Sequence, residues 1–348
     1  MTTIYLIRHA EAEGNLYRRF HGQFNSNITP NGMKQIAALA KRFMDIPVDR
    51  CYSSDLIRAM TTAQAVSEAC CLTVQPEPAF REIYVGVWED LPFGYLNRFY
   101  PEDMDCYGRD PVHWQVSGGE SFLQYTDRFI GRMTELAQEN ENRSIAIVTH
   151  AGILRSVLIR LFPDFQFKSI DNTSVTKLIW KHGRFLIEYQ GDGSHLPEEL
   201  STMNRNRTAK EGLDGAEHLF WFRPGWMELE GMDAPIGDIV YTVMAGAQPI
   251  GRLVLSQADE ETGILTHMDL LPRWRGRGRA VQLLGHAVYE FRKKGVHKLI
   301  LKKPENGMLD DLVNRMEFCE RPDGWWEMDL RYRVLPFSLC TAGEPAVG

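Results

Sequence analysis

Two apolar segments lie far apart in this 348-residue chain, and each of them ends in a histidine. The first runs from Ile4 to His9 and the second from Ile145 to His150. Near-continuous apolar runs of this kind predict strands that are buried on both faces of a parallel sheet. Because ligands of such sheets bind outside the carboxyl ends of the strands, we expect Arg8 and the two histidines to meet at one edge. This arrangement favours an anionic ligand, and phosphate is the leading candidate.

The first half of the chain alternates strand-like and helix-like segments, which predicts a layered α/β domain. Thr29, Ser54 and Ser121 are the expected N-caps of three helices, and Pro30 suits a first helical position. Behind these caps, apolar residues recur at helical spacing. They are Ile36, Leu39, Ala40 and Phe43 in the first helix, Leu56, Ala59, Ala63 and Val66 in the second, and Phe122, Tyr125, Phe129 and Met133 in the third.

A change of pattern divides the chain into two unlike parts. Apolar periodicity fades between Gly191 and Gly215, and the turn-forming residues there predict a linker. The remaining elements are expected as helices at 154–161, 280–293 and 308–316 and as strands at 175–180, 185–189, 239–244, 250–255, 263–271 and 298–301. The predicted domains are 1–195 and 217–335, with a linker at 196–216 and a tail at 336–348.

Composition and charge bound the possible functions. A formal net charge of −7 gives no reason to expect a nucleic-acid partner. No apolar run approaches the ~20 residues that span a bilayer, and Met1-Thr2-Thr3 lacks the basic start of a signal peptide. The six cysteines show no metal-binding spacing, which favours free thiols in a reducing compartment. We therefore expect a cytoplasmic protein that binds neither nucleic acid nor membrane, and the sequence leaves its oligomeric state open.

An Arg-His pair taken alone favours a structural histidine that is hydrogen-bonded to backbone carbonyls. Further polar residues strengthen the case for a phosphate site. Asn15 follows Gly14 soon after the first strand end, and Arg58 lies near the start of a helix, where anions are favoured. Glu82 has apolar neighbours, which predicts a partly buried carboxylate rather than a surface one. His150 is followed by Ala151-Gly152, a small turn into the next helix.

Together these residues resemble the histidine phosphatase superfamily, with its phosphoglycerate-mutase-like fold, over about residues 1–195. The family's Arg-His-Gly pattern is present as Arg8-His9-Ala10, in which a small residue replaces the glycine. The resemblance implies a three-layer α/β/α domain with a mostly parallel sheet. It also implies a nucleophile at His9, a phosphate pocket of Arg8, Arg58 and His150, polar positions near the phosphate at Asn15 and Gln23, and a proton donor at Glu82.

The chemistry of these residue types is consistent with transfer through a phosphohistidine. Neutral imidazole is a nucleophile, and a covalent intermediate divides one difficult hydrolysis into two easier steps. Guanidinium groups bind nonbridging phosphate oxygens, and a carboxylic acid can protonate the leaving oxygen. No acidic cluster suited to magnesium is evident, so we expect a metal-independent phosphomonoester hydrolase for a small phosphorylated metabolite. The alternative is a phosphoglycerate-type mutase, but mutases of this superfamily usually carry longer insertions and a tail.

Residues 93–115 are rich in aromatic side chains and are expected to cover the phosphate pocket. The alternative is a packed helical cap with no substrate contact. The aromatic residues concerned are Phe93, Tyr95, Phe99, Tyr100, Tyr107 and Trp114.

Arginine and glycine alternate from Arg273 to Ala280, between a predicted strand and a predicted helix. A nucleic-acid patch or a solvated basic turn is possible, but glycines at a helix N-terminus also free backbone N–H groups for a diphosphate. The segment resembles the acyl-CoA pyrophosphate loop of the GNAT acetyltransferase superfamily, over about residues 217–335. This implies an α+β domain that binds acetyl-CoA through Leu271, Arg275, Gly276, Arg277, Gly278, Arg279 and Ala280.

This second part departs from the GNAT pattern. Many members place a tyrosine and then a glycine shortly before a phenylalanine, and both are missing before Phe318. His267 and Asp269 are candidate bases, although strand alternation puts them on one face, where they could serve packing alone. Acyl transfer, a CoA-binding regulator of the phosphatase, and a structural remnant therefore stay open.

Overall fold

The computed structural model describes residues 1–164, 166–167, 169–213, 215, 217–302, 309, 312–313 and 316–339. The helix predicted at 308–316 lies largely outside the described residues, as do Cys340 and the rest of the predicted tail from residue 340 onward.

The N-terminal domain alternates strands and helices, as its sequence predicts. Its strands are β1 (Thr2–Arg8), β2 (Arg19–Phe20), β3 (Arg50–Ser53), β4 (Val74–Pro76), β5 (Leu91–Pro92), β6 (Ser144–Thr149), β7 (Val175–Lys181) and β8 (Arg184–Asp192). Its helices are α1 (Glu13–Tyr17), α2 (Pro30–Phe43), α3 (Ile57–Cys70), α4 (Phe93–Phe99), α5 (Pro101–Arg109), α6 (Phe122–Glu139) and α7 (Ala151–Leu161).

Over the described residues, the central sheet has the strand order β4-β3-β6-β1-β7-β8. The four strands from β4 to β1 run parallel, whereas β7 and β8 pair antiparallel. Ile4 and Leu6 belong to the core on one face of the sheet, and Tyr5 and Ile7 to the core on the other. The predicted mostly parallel α/β/α fold is thereby confirmed. Because Arg8 aligns with Thr149 in the register of β1 and β6, the two histidine-bearing strand ends lie side by side.

Two of the three predicted N-caps are confirmed. The Thr29 hydroxyl accepts from the Gly32 N–H, and the Ser121 hydroxyl accepts from the Gln124 N–H. The expectation for Ser54 was wrong, because α3 begins only after Leu56, which makes no side-chain cap. The Ser54 hydroxyl is instead engaged with a histidine of the site described below.

The C-terminal domain is built on a second sheet. Its strands are β9 (Phe220–Pro224), β10 (Ile239–Ala245), β11 (Gln248–Gln257), β12 (Thr262–Leu270), β13 (Lys298–Lys302), β14 (Phe318–Glu320) and β15 (Trp325–Asp329), and it carries helix α9 (Val281–Lys293). The strand order over the described residues is β14-β15-β13-β12-β11-β10-β9. Strands β12 and β13 run parallel, but their pairing ends at Leu265 while β12 continues to Leu270. The two strands therefore separate toward the start of α9.

The predicted linker contains a helix, α8 (Thr202–Lys210), which the fading periodicity did not indicate. The helix is almost entirely polar, so no apolar stripe marks it in the sequence. It is held by its N-cap, Ser201, and by polar contacts with the N-terminal domain. The Gln35 amide donates to the Leu200 carbonyl, and Arg205 forms an ion pair with the buried Glu11.

The last described residues return from the C-terminal sheet to the N-terminal domain. The Asn27 amide donates to the Arg331 carbonyl at 2.9 Å, and the Phe337 N–H donates to the Gln64 side chain at 2.8 Å. Leu335 is buried in the core of the N-terminal domain. The two domains are thus joined both through α8 and through this returning segment.

We find no helix among the described residues with the length and apolar character needed to cross a membrane.

Candidate active site

A cavity of about 220 Å³ opens where β1 and β6 end. It collects side chains from several segments of the N-terminal domain. Its lining includes Arg8, His9, Asn15, Arg58 and Glu82 from the predicted set, and His21, Phe93 and Tyr107 in addition.

His9 is a neutral imidazole with a defined tautomer. Its Nδ1 lies 2.7 Å from the Ala10 carbonyl oxygen, which can only accept, so Nδ1 carries the proton. Burial, and then the nearby cations Arg58 and Arg8, lower the pKa of His9 well below its ordinary value of 6.5. The Nε2 lone pair is therefore left for a ligand in the cavity.

His150 lies beside His9, with the two ring centroids 5.1 Å apart. Its Nδ1 accepts from Arg58 Nε at 3.2 Å, and its Nε2 donates to the Ser54 hydroxyl at 2.8 Å. Burial, followed by Arg58 and His9, lowers the pKa of His150 well below 6.5. The role of Ser54 was missed in the sequence because its partner is nearly a hundred residues away.

The two predicted arginines are fixed by backbone carbonyls. Arg58 donates from its terminal nitrogens to Phe24 and Gly22, at 2.8 and 2.6 Å. Arg8 donates to the Ile170 carbonyl at 2.6 Å, while its Nε is buried without a partner. Each guanidinium has five N–H donors, so both retain donors for an anion in the cavity. A buried cation with an unpaired donor is costly without a ligand, which is consistent with an anion site.

Two hydrogen bonds that its Oδ1 atom accepts fix the orientation of the Asn15 side-chain amide. Asn15 Oδ1 accepts from the Ala12 N–H at 3.1 Å and from Asn172 Nδ2 at 3.3 Å, which leaves its own Nδ2 for a ligand. Asn172 also donates to the His9 carbonyl at 2.7 Å and was not anticipated from the sequence. The Gln23 amide donates to the carbonyl of Glu82, a residue that lines the cavity, at 3.0 Å, and the role of Gln23 near the phosphate stays a prediction.

Glu82 is held at the start of α7. Its carboxylate oxygens accept from the N–H groups of Gly152 at 3.0 Å, Ile153 at 2.7 Å and Ile83 at 3.0 Å. A Cβ at position 152 would come within 2.9 Å of the carboxylate, so a larger residue there would displace the carboxylate from this position. The start of α7 at Ala151-Gly152 thus holds the carboxyl group of Glu82 in the cavity that His9 also lines.

The aromatic segment covers the cavity only in part. Phe93 and Tyr107 line it, as the expected roof requires. Trp114 is buried in the core, with its ring 4.7 Å from that of Tyr107. Phe99 instead contacts Trp221 of the C-terminal domain.

The Arg-Gly segment forms the turn between β12 and α9. Gly276, Arg277 and Gly278 all have positive φ angles, of 77°, 56° and 70°, a conformation that glycine adopts without strain. The turn borders a cleft of about 540 Å³ that Lys34 and Arg205 also line. Glu11 and Glu199 line the same cleft, and Arg205 is paired with Glu11. The support for a diphosphate group is therefore the open turn at a helix N-terminus.

The arginine side chains of this turn are directed at protein acceptors. Arg275 donates to the Leu270 carbonyl, and Arg277 pairs with Glu211 at 2.7 Å. Arg279 is buried and donates to the carbonyls of Ala209 and Glu211. Of the other predicted residues, Leu271 is partly buried and donates its N–H to the Ile250 carbonyl at 2.8 Å, and Ala280 is the N-cap of α9. Backbone groups, rather than arginine side chains, are thus available to an anion there.

Among the residues that the structure describes, no group of three histidine, cysteine, aspartate or glutamate side chains is placed to hold a metal ion.

Comparison with known families supports both halves of this description. Residues 4–193 match the model of the histidine phosphatase superfamily (branch 1). Residues 213–309 match the model of the acetyltransferase (GNAT) family.

Curated relatives match the N-terminal domain. A metal-independent phosphoserine phosphatase of Arabidopsis thaliana is 31% identical over 200 residues, which is 56% of this chain and 84% of that protein. A probable phosphoglycerate mutase GpmB of Proteus mirabilis is 28% identical over 208 residues, which is 57% of this chain and 96% of that protein. The solved structure of Bacillus stearothermophilus YhfR is 26% identical with a TM-score of 0.54, and the match covers 56% of this chain and 99% of that one.

Proposed function

Since this chain belongs to the histidine phosphatase superfamily, we propose that it hydrolyses the phosphomonoester of a small metabolite through a phosphohistidine at His9. The observation that carries this proposal is the tautomer of His9, whose Nδ1–H is fixed on a carbonyl so that Nε2 presents its lone pair. The cavity of about 220 Å³ supports a substrate with a small organic part. Phosphoserine is the first ester to test, because one relative carries that name.

In the first step, Nε2 of His9 attacks phosphorus while the bond from phosphorus to the ester oxygen breaks. Arg8 and Arg58 stabilise the charge on the nonbridging oxygens, and Asn15 donates to the same group. Glu82 in its acid form delivers a proton to the leaving oxygen, which departs as an alcohol. In the second step, Glu82 as carboxylate takes a proton from water, the water oxygen attacks phosphorus, and the bond to His9 breaks to release inorganic phosphate.

Phosphoglycerate-type mutase activity is the second candidate, because some relatives are named as mutases. A mutase must retain its phosphorylated intermediate and pass the phosphoryl group to a second hydroxyl. We favour hydrolysis because a relative at 31% identity is named as a phosphatase.

For the C-terminal domain we propose acetyl-CoA binding at the turn from Gly276 to Gly278. The left-handed turn at the start of α9 supports it, because backbone N–H groups of the turn would hold the diphosphate. Acetyl-CoA would supply an activated acyl group there. The tyrosine that many GNAT members place before the phenylalanine is missing here, so we expect binding with slow or acceptor-restricted acyl transfer.

We also propose a cytoplasmic location, because all the cysteines within the described residues are free thiols.

The test of the phosphatase proposal is a panel of phosphate esters assayed with and without EDTA. We expect hydrolysis that EDTA leaves unchanged, with no phosphoglycerate isomerisation. The His9→Ala variant should lose turnover and the acid-labile phosphoenzyme while keeping its fold by circular dichroism. Turnover retained in His9→Ala would contradict the covalent mechanism, and loss in EDTA restored by magnesium would contradict metal independence.

A further inference from the structure

The interface between the domains adjoins the phosphatase cavity, because Arg19 and His21 line both that cavity and a small pocket that α9 also lines. Helix α9 of the C-terminal domain packs against α1, which follows the His9 strand end. Tyr17 lies so close to Gly285 that a Cβ at position 285 would come within 2.3 Å of the Tyr17 ring. One turn along the same face of α9, the Tyr289 ring lies under the guanidinium of Arg19, 4.3 Å from its centroid. The C-terminal domain therefore touches residues that lead into the cavity.

Arg19 and Asp90 form a buried ion pair at this point. Arg19 Nε donates to Asp90 Oδ1 at 2.8 Å, and a terminal nitrogen donates to the Asp90 carbonyl. The side chains of Arg19 and Asp90 are only 3% and 4% exposed. Stacking on Tyr289 covers the face of the guanidinium, which is a favourable contact for a cation. Asp90 is thus paired with a cation, Arg19, whose guanidinium also contacts Tyr289 of the C-terminal domain.

Asp90 in turn fixes the ring of His21, which lines the cavity. His21 Nε2 lies 3.0 Å from Asp90 Oδ1, the same oxygen that Arg19 contacts. Burial opposes the charge on Asp90, but Arg19 and His21 lower its pKa to about 2, so this oxygen accepts and Nε2 carries the proton. The pKa of His21 is lowered by burial, although Asp90 acts in the opposite direction. The neutral ring then offers Nδ1 as an acceptor.

The acceptor has no partner of its own among the described residues. The ring of His21 packs face-on against Gly14, where a Cβ would come within 2.6 to 2.7 Å of Cγ, Nδ1 and Cε1, so only glycine leaves room for the ring. The His21 side chain is 11% exposed, and it lines the cavity. Arg8, Arg58 and Asn15 offer hydrogen-bond donors to the cavity. The proposed mechanism uses His9 and Glu82 at phosphorus and at the leaving oxygen, which leaves His21 and the Ser26 hydroxyl as acceptors for a donor on the organic part of the substrate.

We propose that His21 recognises the organic part of the substrate by accepting a hydrogen bond from a hydroxyl or ammonium group. Tyr289 is then a positioning residue in the C-terminal domain, which acts on His21 through Arg19 and Asp90. On this view the C-terminal domain completes the phosphatase site whether or not it transfers acyl groups. The inference rests on the proposed phosphatase function and adds to it the class of ester and the part played by the second domain.

Three esters of similar size test the recognition: 2-hydroxyethyl phosphate, 2-aminoethyl phosphate and propyl phosphate. The first two carry a donor where the third has a methyl group. We expect wild-type kcat/KM to favour at least one donor ester by about tenfold or more, since a site built for a hydrogen bond rejects the analogue that lacks it. His21→Phe should abolish that preference, and His21→Gln, which keeps an acceptor, should restore part of it.

Variants of Tyr289 test the positioning. Tyr289→Leu removes the ring over Arg19, and we expect KM for the favoured ester to rise several-fold while kcat/KM for propyl phosphate stays within about twofold. Tyr289→Phe keeps the ring and should behave as wild type. Tyr289→Met is a second ring-free variant with the same expectation.

The outcomes separate this inference from the proposed function. If wild type hydrolyses none of the esters in the panel, the phosphatase proposal fails. If it hydrolyses all three esters equally, or if ring-free variants keep the donor preference, the phosphatase proposal stands and the inference is wrong. If both ring-free variants fail to fold while Tyr289→Phe folds, Tyr289 is a stability residue and the positioning role is also wrong.

Discussion

Arg292 of the C-terminal domain donates two hydrogen bonds, at 2.8 and 2.9 Å, to the carboxylate of Glu13 in the phosphatase domain. The two side chains are 9% and 4% exposed, so this is a buried and bidentate ion pair. Glu13 also accepts from the Asn27 N–H at 3.0 Å, and Asn27 binds the returning segment at Arg331. One carboxylate therefore links the start of α1 to α9 and, through Asn27, to the returning segment.

Breaking this pair should destabilise the protein strongly. Arg292→Met leaves the Glu13 carboxylate buried and uncompensated, and we expect the free energy of unfolding to fall by about 3 kcal/mol or more. The double variant Glu13→Gln/Arg292→Met should recover part of the loss, because no charge is left unpaired. Urea unfolding followed by circular dichroism measures both. Equal midpoints for Arg292→Met and wild type would show that the interface contributes little.

The second prediction concerns Glu82 as proton donor. Glu82→Gln should slow alkyl phosphates by a hundredfold or more, on the order of what general acid catalysis contributes. The same variant should lose much less activity on p-nitrophenyl phosphate, whose leaving group needs little protonation. Steady-state kinetics on the two substrates measures the difference. An equal loss on both would mean that Glu82 only shapes the start of α7.

The third prediction is the pH dependence of the nucleophile. Burial, Arg58 and Arg8 lower the pKa of His9, so the imidazole stays neutral and reactive below pH 6.5. We therefore expect no loss of kcat/KM on the acid side between pH 7.5 and 6.5 from His9, and a decline only at lower pH. Arg58→Gln removes one of the cations, so the pKa of His9 should rise and the decline should begin at higher pH. A decline centred at 6.5 in wild type would contradict a neutral, buried nucleophile.

The fourth prediction concerns Ser54, which accepts from His150 Nε2. Ser54→Ala leaves that N–H without its acceptor, and a lost buried hydrogen bond of about 1–3 kcal/mol corresponds to roughly a 5- to 160-fold loss of kcat/KM if the whole cost falls on the transition state. Ser53→Ala is the matched control, because the Ser53 hydroxyl donates to a backbone carbonyl and contacts neither histidine. Similar activities for the two variants would remove Ser54 from the site.

The fifth prediction concerns acetyl-CoA and the turn before α9. Gly278 has a φ angle of 70°, which asparagine tolerates better than most residues. Gly278→Asp should abolish binding of acetyl-CoA, because it places a negative charge beside the diphosphate. Gly278→Asn, of the same shape without the charge, should retain weaker binding. Calorimetry distinguishes them, and the absence of heat with wild type at high protein concentration would leave the segment as a basic turn.

The sequence by itself determined the elements whose signal is local. The apolar runs ending at His9 and His150 predicted neighbouring parallel strands, because a strand buried on both faces must be apolar at nearly every position. The N-caps at Thr29 and Ser121 could be predicted because their signal is also local: the side chain of an N-cap bonds to a backbone N–H three residues away. Conversely, helix α8 could not be predicted from apolar periodicity. Polar contacts with Gln35 and Glu11 hold it in place, so its sequence has no apolar stripe.

Only the tertiary structure decided which polar side chains meet. Serine is a preferred N-cap residue, yet the hydroxyl of Ser54 contacts His150 across the site. His21, which no sequence pattern singled out, lines the cavity. The link from Tyr289 to Arg19 joins two domains whose sequence patterns are independent. Periodicity records whether a residue is buried, but the partner of a buried polar group is set by the packing of distant segments, which no local pattern encodes.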